Sequence, residues 1–502
     1  MTSHTSAPGP GPGTGLTRQL GLVGLAATGI CSMLGAAINV IPFMIQRSVP
    51  GIGPWVLPAY LFAALPAVLA ALAYAILASA MPRAGGSYVY ASRATTPYLG
   101  FVASFSQWFG LCIAIGVVSY VLVPFLRDVA TALSWSGVAD ALDSGPVRVG
   151  VALAFLWTFV AVNLRGVRLY ERTLVPLMFL MFALGAVVIV AGFLFDGNDF
   201  VAALQAREGR GLPDTPAVPF RLGPFMAASA LLFSSFIGFD SIAQAGGEAK
   251  NPGRNLPLAI GIAVVTVGSF YFLFTAAVYH AVPWTFVVTE AQVRDLTAPG
   301  LLGYLLPAGW TVLIVAGAAV ALINDLPAML LAVSRLMFAW AEDGVFPKSV
   351  SAVHARWHTP HVALVASGIM ATGGVVGSHL AGDFFLGVDI LVTSMLVNFL
   401  LMCVSVLTLP KRNPELASQV TVFSARSVQV PLAVLGILLL GTFLLVHVWK
   451  DLNADLDVWY FHSTPLWLAV MAVGTAIYLR ERAARRAEGV DLRARFRVLP
   501  PE

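Results

Sequence analysis

Charge is scarce in this chain. Charged residues make up 11% of its 502 positions, against about 25% in soluble domains, and that shortage excludes an ordinary water-facing surface. Cysteine is scarce as well. Cys31, Cys112 and Cys403 all fall inside apolar stretches, so they read as small buried hydrophobes and provide neither a disulfide framework nor a metal-ligand spacing. No cleavable signal peptide is apparent. Period-two alternation is missing too, which excludes the strands of roughly 10 residues that build a membrane barrel.

Hydrophobic residues are what the chain has: 58% of it. They gather into twelve blocks, near 21–43, 54–81, 98–126, 147–164, 173–195, 224–245, 257–282, 307–338, 361–379, 386–409, 429–448 and 464–480. About 20 predominantly apolar residues are needed for a helix to cross the hydrocarbon. Most of the blocks lack the polar face a soluble helix shows. The expectation is an all-α membrane protein with about twelve transmembrane helices, here called crossings 1 to 12.

The connecting segments set an orientation. With a cytoplasmic N-terminus, the inner segments hold 21 of the 29 basic residues, among them Arg83, Arg93, Lys250 and Arg335. That is the positive-inside pattern of a multi-pass cell-membrane protein with both termini cytoplasmic. The net charge of +4 is then a topology signal, and no nucleic-acid-binding motif accompanies it. Residues 1–16, rich in Pro, Gly, Ser and Thr, read as a disordered cytoplasmic tail. Residues 17–480 read as one transmembrane domain, and 481–502 as a basic cytoplasmic tail that starts with a short surface helix. The longest external loop, about 196–223, is too short for a further domain.

Crossings 1 and 6 each carry a Gly-containing interruption at mid-span: Leu34-Gly35-Ala36-Ala37 and Ser234-Ser235-Phe236-Ile237-Gly238-Phe239-Asp240. They lie five crossings apart, so a repeat with that period is inverted in the membrane. Paired interrupted helices in corresponding halves are the best sequence pointer to a transporter binding site. Unwinding frees N–H groups, which with the helix dipole favour an anion, and C=O groups, which favour a cation. A zwitterion such as an amino acid suits both. The competing reading is that these glycines only let helices pack closely.

Five stretches taken in order resemble a known family. They are Gly29-Ile30-Cys31-Ser32-Met33-Leu34-Gly35-Ala36-Ala37-Ile38; Met81-Pro82-Arg83-Ala84-Gly85-Gly86-Ser87-Tyr88; Asn163-Leu164-Arg165-Gly166-Val167; Phe236-Ile237-Gly238-Phe239-Asp240 with Glu248-Ala249-Lys250-Asn251-Pro252; and Ser334-Arg335 with Glu342-Asp343-Gly344-Val345-Phe346-Pro347. Together they are similar to the amino acid–polyamine–organocation transporters. The resemblance implies inverted repeats of crossings 1–5 and 6–10 with two extra C-terminal crossings. It implies a substrate carboxylate at the backbone of Gly35, Ala36 and Ala37, and an amino group near the carbonyls of Met33, Ser234 and Ile237. Asp240 matches an acidic position linked in some members to proton coupling or gating. The implied mechanism is alternating access, with crossings 1, 2, 6 and 7 rocking against the rest and Phe236 or Phe239 as gate candidates.

The chain also departs from the family pattern. Ala37 stands where a second glycine is usual, Asn39 where an aromatic is usual, and Ile76 where a Glu is frequent. Crossing 5 has no Lys near Met181 to serve as a cation site. Crossing 8 offers Asn324-Asp325, ten residues before Arg335 and so roughly 15 Å deeper by helical rise. An intramembrane carboxylate is a functional hypothesis by default. Three readings stand: Asp325 binds a coupling proton or sodium ion, pairs with a cationic substrate side chain, or is a structural acid bonded to Asn324. Crossing 3 offers Gly110, Leu111 and Ile115 as pocket candidates, small or apolar, with Gln107, Trp108 and Asn398 as further polar or aromatic ones. The expectation is cation-coupled uptake of a neutral or apolar amino acid, with H+ or Na+ as partner ion and no cofactor or metal. An exchanger, a cationic amino acid or amine transporter, and a membrane-bound nutrient receptor are the alternatives. An enzyme is disfavoured because the histidines are scattered, and His354 and His358 have no Glu between them to complete a zinc motif.

Overall fold

The computed structural model of the chain describes residues 16–35, 37–214, 217–381, 385–454, 458–490 and 495–500. Its elements are helices, and among the described residues only two isolated bridges, Leu20 with Ala249 and Ala84 with Ala245, represent β structure. Crossing 1 is split into α1 (Leu22–Met33) and α2 (Ala37–Ser48). Crossing 2 is α3 (Val56–Ala80), and α4 (Gly86–Ala94) links it to crossing 3, α5 (Pro97–Ala132). A short α6 (Ser136–Asp143) precedes crossings 4 and 5, α7 (Gly145–Leu164) and α8 (Val167–Leu194); α9 (Gly197–Glu208) lies in the loop that follows. Crossing 6 is split into α10 (Leu222–Leu232), a 3-10 turn over Phe233–Phe236 and α11 (Asp240–Gln244). Crossing 7 is α12 (Pro252–Ala281), followed by α13 (Trp284–Glu290) and α14 (Ala298–Leu302). Crossings 8 to 10 are α15 (Ala308–Glu342), α16 (His361–Ala381) and α17 (Phe385–Arg412). After α18 (Pro414–Ser418) come crossings 11 and 12, α19 (Arg426–Leu452) and α20 (Ser463–Ala487).

Among the described residues, ten helical spans are by themselves long and apolar enough to cross a membrane. The other two expected crossings fall short for physical reasons. The break in crossing 6 leaves Leu222–Phe236 as a shorter apolar piece. The last helix opens on Ser463, Thr464 and Pro465 and meets Arg480, which shortens its apolar run; it then continues without interruption to Ala487.

Local chemistry sets several helix starts. Pro97 occupies the first turn of α5, where its missing N–H costs nothing, and the Thr96 hydroxyl accepts from Leu99 N–H at 3.2 Å. Asp196 and Asp199 form a reciprocal capping box on α9. Where crossings touch, small residues let backbones meet. A side chain on Gly374 would lie 2.7 Å from the carbonyl oxygen of Ile113, so α16 and α5 are in direct backbone contact.

The two breaks pack on each other. Gly238 has φ 135°, a conformation glycine adopts freely. A Cβ there would overlap the Ser32 carbonyl, so the second break sits against the end of α1. Ser32 Oγ and Ser241 Oγ share a hydrogen bond of 2.9 Å, and the Tyr271 hydroxyl donates to the Met33 carbonyl. That carbonyl, released where α1 ends, is satisfied by protein, as backbone freed in a membrane must be.

Both ends of the described chain lie on one face. Leu20 N–H donates to Glu248 O at 2.8 Å and Lys250 N–H to Leu20 O at 2.8 Å. At the other end, Arg83 donates to the Pro500 carbonyl at 3.1 Å, Arg93 to Val498 at 3.2 Å and Asn413 to Arg497 at 2.9 Å. This terminal face is tied by buried charge. Arg335 on α15 makes a two-pronged pair with Glu248, at 2.5 and 3.1 Å, with both side chains at most 1% exposed. Arg93 on α4 pairs in the same way with Asp343, and its guanidinium lies 4.9 Å from the Phe496 ring.

Candidate functional site

The breaks open onto a cavity of about 90 Å³. Ser32, Met33 and Gly35 line it from crossing 1 before α2, and Val40 and Ile41 from α2. Ser234 and Ile237 come from the break in crossing 6, and Asp325 and Met329 from α15. The far walls are Ala114, Val117, Val118 and Val121 on α5 and Gly387, Val388 and Leu391 on α17. On α2 and α5 these positions run from mid-span toward the face opposite the chain ends, on α17 they lie in the first two turns at that face, and on α15 they lie at mid-span. The walls are almost wholly apolar, and no Lys, Arg or His is among these residues. A substrate fitted here buries an apolar body and aims its polar groups at the breaks and at Asp325.

Asp325 is 5% exposed. Its Oδ2 fills the space that a side chain at Gly35 would need, so the carboxyl lies directly on the break of crossing 1. Its Oδ1 has no hydrogen-bond partner among the described residues. The neighbouring Asn324 does not bond to it; Asn324 Nδ2 donates to Cys31 Sγ at 2.9 Å, and its Oδ1 also lacks a partner among the described residues.

Asp240 is bonded instead. Its Oδ1 accepts from Gly238 N–H at 3.1 Å, and its Oδ2 accepts from Gln107 Nε2. Gln107 Oε1 in turn accepts from Ser87 at 2.5 Å, Asn398 at 3.0 Å and Gln244 at 3.2 Å, and the Tyr74 hydroxyl donates to Asn398 Oδ1 at 2.5 Å. This fully buried network joins α3, α4, α5, α11 and α17 on the terminal-face side of the cavity. Phe239 is stacked within the same layer, 5.0 Å from Phe399 and 5.7 Å from Tyr74. Phe236 turns the other way and packs on Tyr60 at 5.3 Å. Neither phenylalanine lines the cavity.

Met33, Gly35, Ser234, Ile237 and Asp325 are thus brought to one cavity, whereas Asn324, Asp240, Phe236 and Phe239 surround it. Ala36 lies outside the described residues, as does the side chain of Ala37. Gly110 packs against Ser394 on α17, and Leu111 and Ile115 are fully buried in helix contacts. The cavity wall of α5 is a neighbouring stripe, Ala114, Val117, Val118 and Val121, at the helical spacing i, i+3, i+4, i+7. That stripe, and the α17 wall with it, was not singled out from the sequence. Both helices are apolar all round, so hydrophobic periodicity gives no phase; the small residues Ala114 and Gly387 are the one available signal.

The chain is similar to known proteins over most of its length. Residues 20–475 match the model of a protein family described as amino acid permease. The chain is 26% identical to the methylthioribose transporter of Bacillus subtilis (strain 168), over 92% of its own length and 93% of that protein's. It is 27% identical to a branched-chain amino acid permease of the same organism, over 80% of this chain and 83% of the relative. It is 28% identical to the vacuolar cationic amino acid transporter 2 of Arabidopsis thaliana, over 73% of this chain and 56% of the longer relative.

Proposed function

Since the chain belongs to the amino acid permease family, we propose that it takes up a neutral or apolar amino acid by cation-coupled alternating access. The observation that carries this reading is the cavity at the paired breaks, with walls of Val, Ile, Leu and Met and one buried acid. Apolar walls suit an aliphatic side chain. Backbone freed at the breaks suits the zwitterionic end, with Gly35, Ala36 and Ala37 toward the carboxylate and Met33, Ser234 and Ile237 toward the amine. Asp325 is the coupling group, and the Asp240 network with Phe239 stacked beside it is the inner gate; Phe236, packed on Tyr60, is the second gate residue. The terminal face is cytoplasmic, in keeping with its arginines, and the membrane is the cell membrane. Residues 17–480 form the transporting domain, flanked by cytoplasmic tails over 1–16 and 481–502. Residues 1–15 lie outside the described ones.

The branched-chain permease among the relatives supports an aliphatic substrate. A second reading, a cationic amino acid or amine as substrate, is favoured by Asp325 Oδ1, which has no partner among the described residues, and by the cationic transporter among the relatives. Reconstitution into proteoliposomes with an amino-acid panel, under imposed pH and sodium gradients, tests the choice. Accumulation of leucine-like substrates down one of the two gradients is expected. Strong displacement by arginine with none by leucine would overturn the neutral-substrate reading.

A further inference from the structure

Asp325 is not a bystander at the edge of the cavity. Its carboxyl lies on Gly35, immediately before the N-terminal end of α2, a helix of 12 residues. The N-terminal end of a helix attracts an anion, and a substrate carboxylate would be drawn to the same spot. A second observation says that the spot expects a ligand: Asp325 is buried to all but 5%, and its Oδ1 has no partner among the described residues. No Lys, Arg or His lines the cavity to offset two negative charges. The other titratable groups that sense Asp325 are Cys31 on α1 and Tyr271 on α12, neither of them a cation. Asp240 on α11 is held by Gln107 and Gly238.

We propose that Asp325 and the substrate carboxylate share the anion site beside Gly35, so that one proton enters with each carboxylate bound. This inference rests on the amino acid reading above and specifies its coupling ion. Two carboxylates placed together in low dielectric do not both ionise; they hold one proton between them. Protonated Asp325 donates its O–H to the incoming carboxylate and adds no repulsion. Ionised Asp325 repels it. The proton is taken up from solution on the side where substrate binds and is returned on the side where the carboxylate leaves. The ammonium of an amine without a carboxylate would instead pair with ionised Asp325 and need no proton.

The experiment is calorimetric binding to the purified full chain in lipid nanodiscs, in two buffers of different ionisation enthalpy, from pH 5 to pH 8. Leucine and its decarboxylated counterpart, 3-methylbutylamine, are the probes. For leucine, proton uptake should climb from near zero at the acid end, where Asp325 already carries its proton, to about one at the alkaline end, where affinity falls up to tenfold per pH unit. For the amine, affinity should rise with pH. In Asp325→Asn, whatever leucine binding remains should take up no proton at any pH, and the amine should lose its advantage. The comparison of the two probes in the unaltered protein stands even where the variant does not fold. Leucine binding without proton uptake, or binding that requires sodium, would overturn this inference alone. Binding of the amine with no binding of any amino acid would overturn the amino acid reading and the shared site together.

Discussion

The two ends of the transport path are closed by different chemistry. On the terminal face, the approach to the cavity is blocked by fully buried polar groups: the Arg335–Glu248 pair, the Arg93–Asp343 pair and the Gln107–Asp240 network. On the opposite face the ion pairs keep at least one partner in solvent: Arg47 with Asp295 at 2.8 Å, side chains 36% and 67% exposed, and Arg210 and Arg294 on Glu290, the arginines 41% and 49% exposed. Buried pairs are costly to break one partner at a time, and exposed pairs are worth little. On the alternating-access reading, the asymmetry makes the face of the chain ends the firmer of the two closures. It also explains why the cavity walls extend toward the opposite face.

The largest expected effect comes from breaking the lock. Arg335→Ala leaves Glu248 buried without its partner, a loss of about 3–5 kcal/mol, read as a large drop in thermal stability and loss of uptake. The paired replacement Arg335→Met with Glu248→Leu should restore most of the stability, because no lone charge remains. It should also expose the terminal-face side of the path to an impermeant thiol reagent directed at a cysteine introduced at Phe239. Unchanged labelling in the paired variant would show that the ion pair does not hold this face shut.

Next in size is Gly238→Ala. The positive φ and the Ser32 carbonyl both oppose a Cβ, and the expected cost is about 1–3 kcal/mol. Uptake should fall more than stability does, since the contact lies between the two breaks; equal binding affinity in variant and parent would contradict this. Deleting residues 495–502 should have a smaller effect. It removes the carbonyl acceptors of Arg83, Arg93 and Asn413 and the ring of Phe496 over Arg93. The deleted chain should melt a few degrees lower and label faster at the Phe239 cysteine than the intact one. The smallest effect is assigned to Arg47→Ala, within about 1 kcal/mol and visible only at low salt. A loss of uptake as large as that of Arg335→Ala would erase the comparison between the faces.

Part of this was readable from the residues. Gly35 and Gly238 mark the breaks as a matched pair five crossings apart, since a lone glycine in an apolar run can equally serve helix packing, as Gly374 does; Asp325 stands out by depth alone. The phase of α5 was not readable, since a helix apolar on every side gives no preferred face; Gly110, Leu111 and Ile115 point to helix contacts while Ala114, Val117, Val118 and Val121 line the cavity. The length of α20 was hidden by its charge: residues 480–487 are four Arg, three Ala and one Glu, good helix formers whether or not lipid surrounds them. The docking of residues 495–500 was hard to read because three of its contacts are backbone carbonyls, and Arg495 and Phe496, which reach Glu342 and Arg93, look like any basic-tail residues. The Asp240 network was half visible. Asp240 and Gln107 each stood out, but that they bond to each other is a fact of the fold.

The central claim is that the acid at the breaks couples transport to a proton. Asp325→Asn in proteoliposomes tests it most directly, by comparing gradient-driven accumulation with exchange of internal for external substrate in the same vesicles. Exchange should persist at a rate near the parent's, while accumulation under an imposed pH gradient should be lost. Full accumulation by that variant would contradict the account.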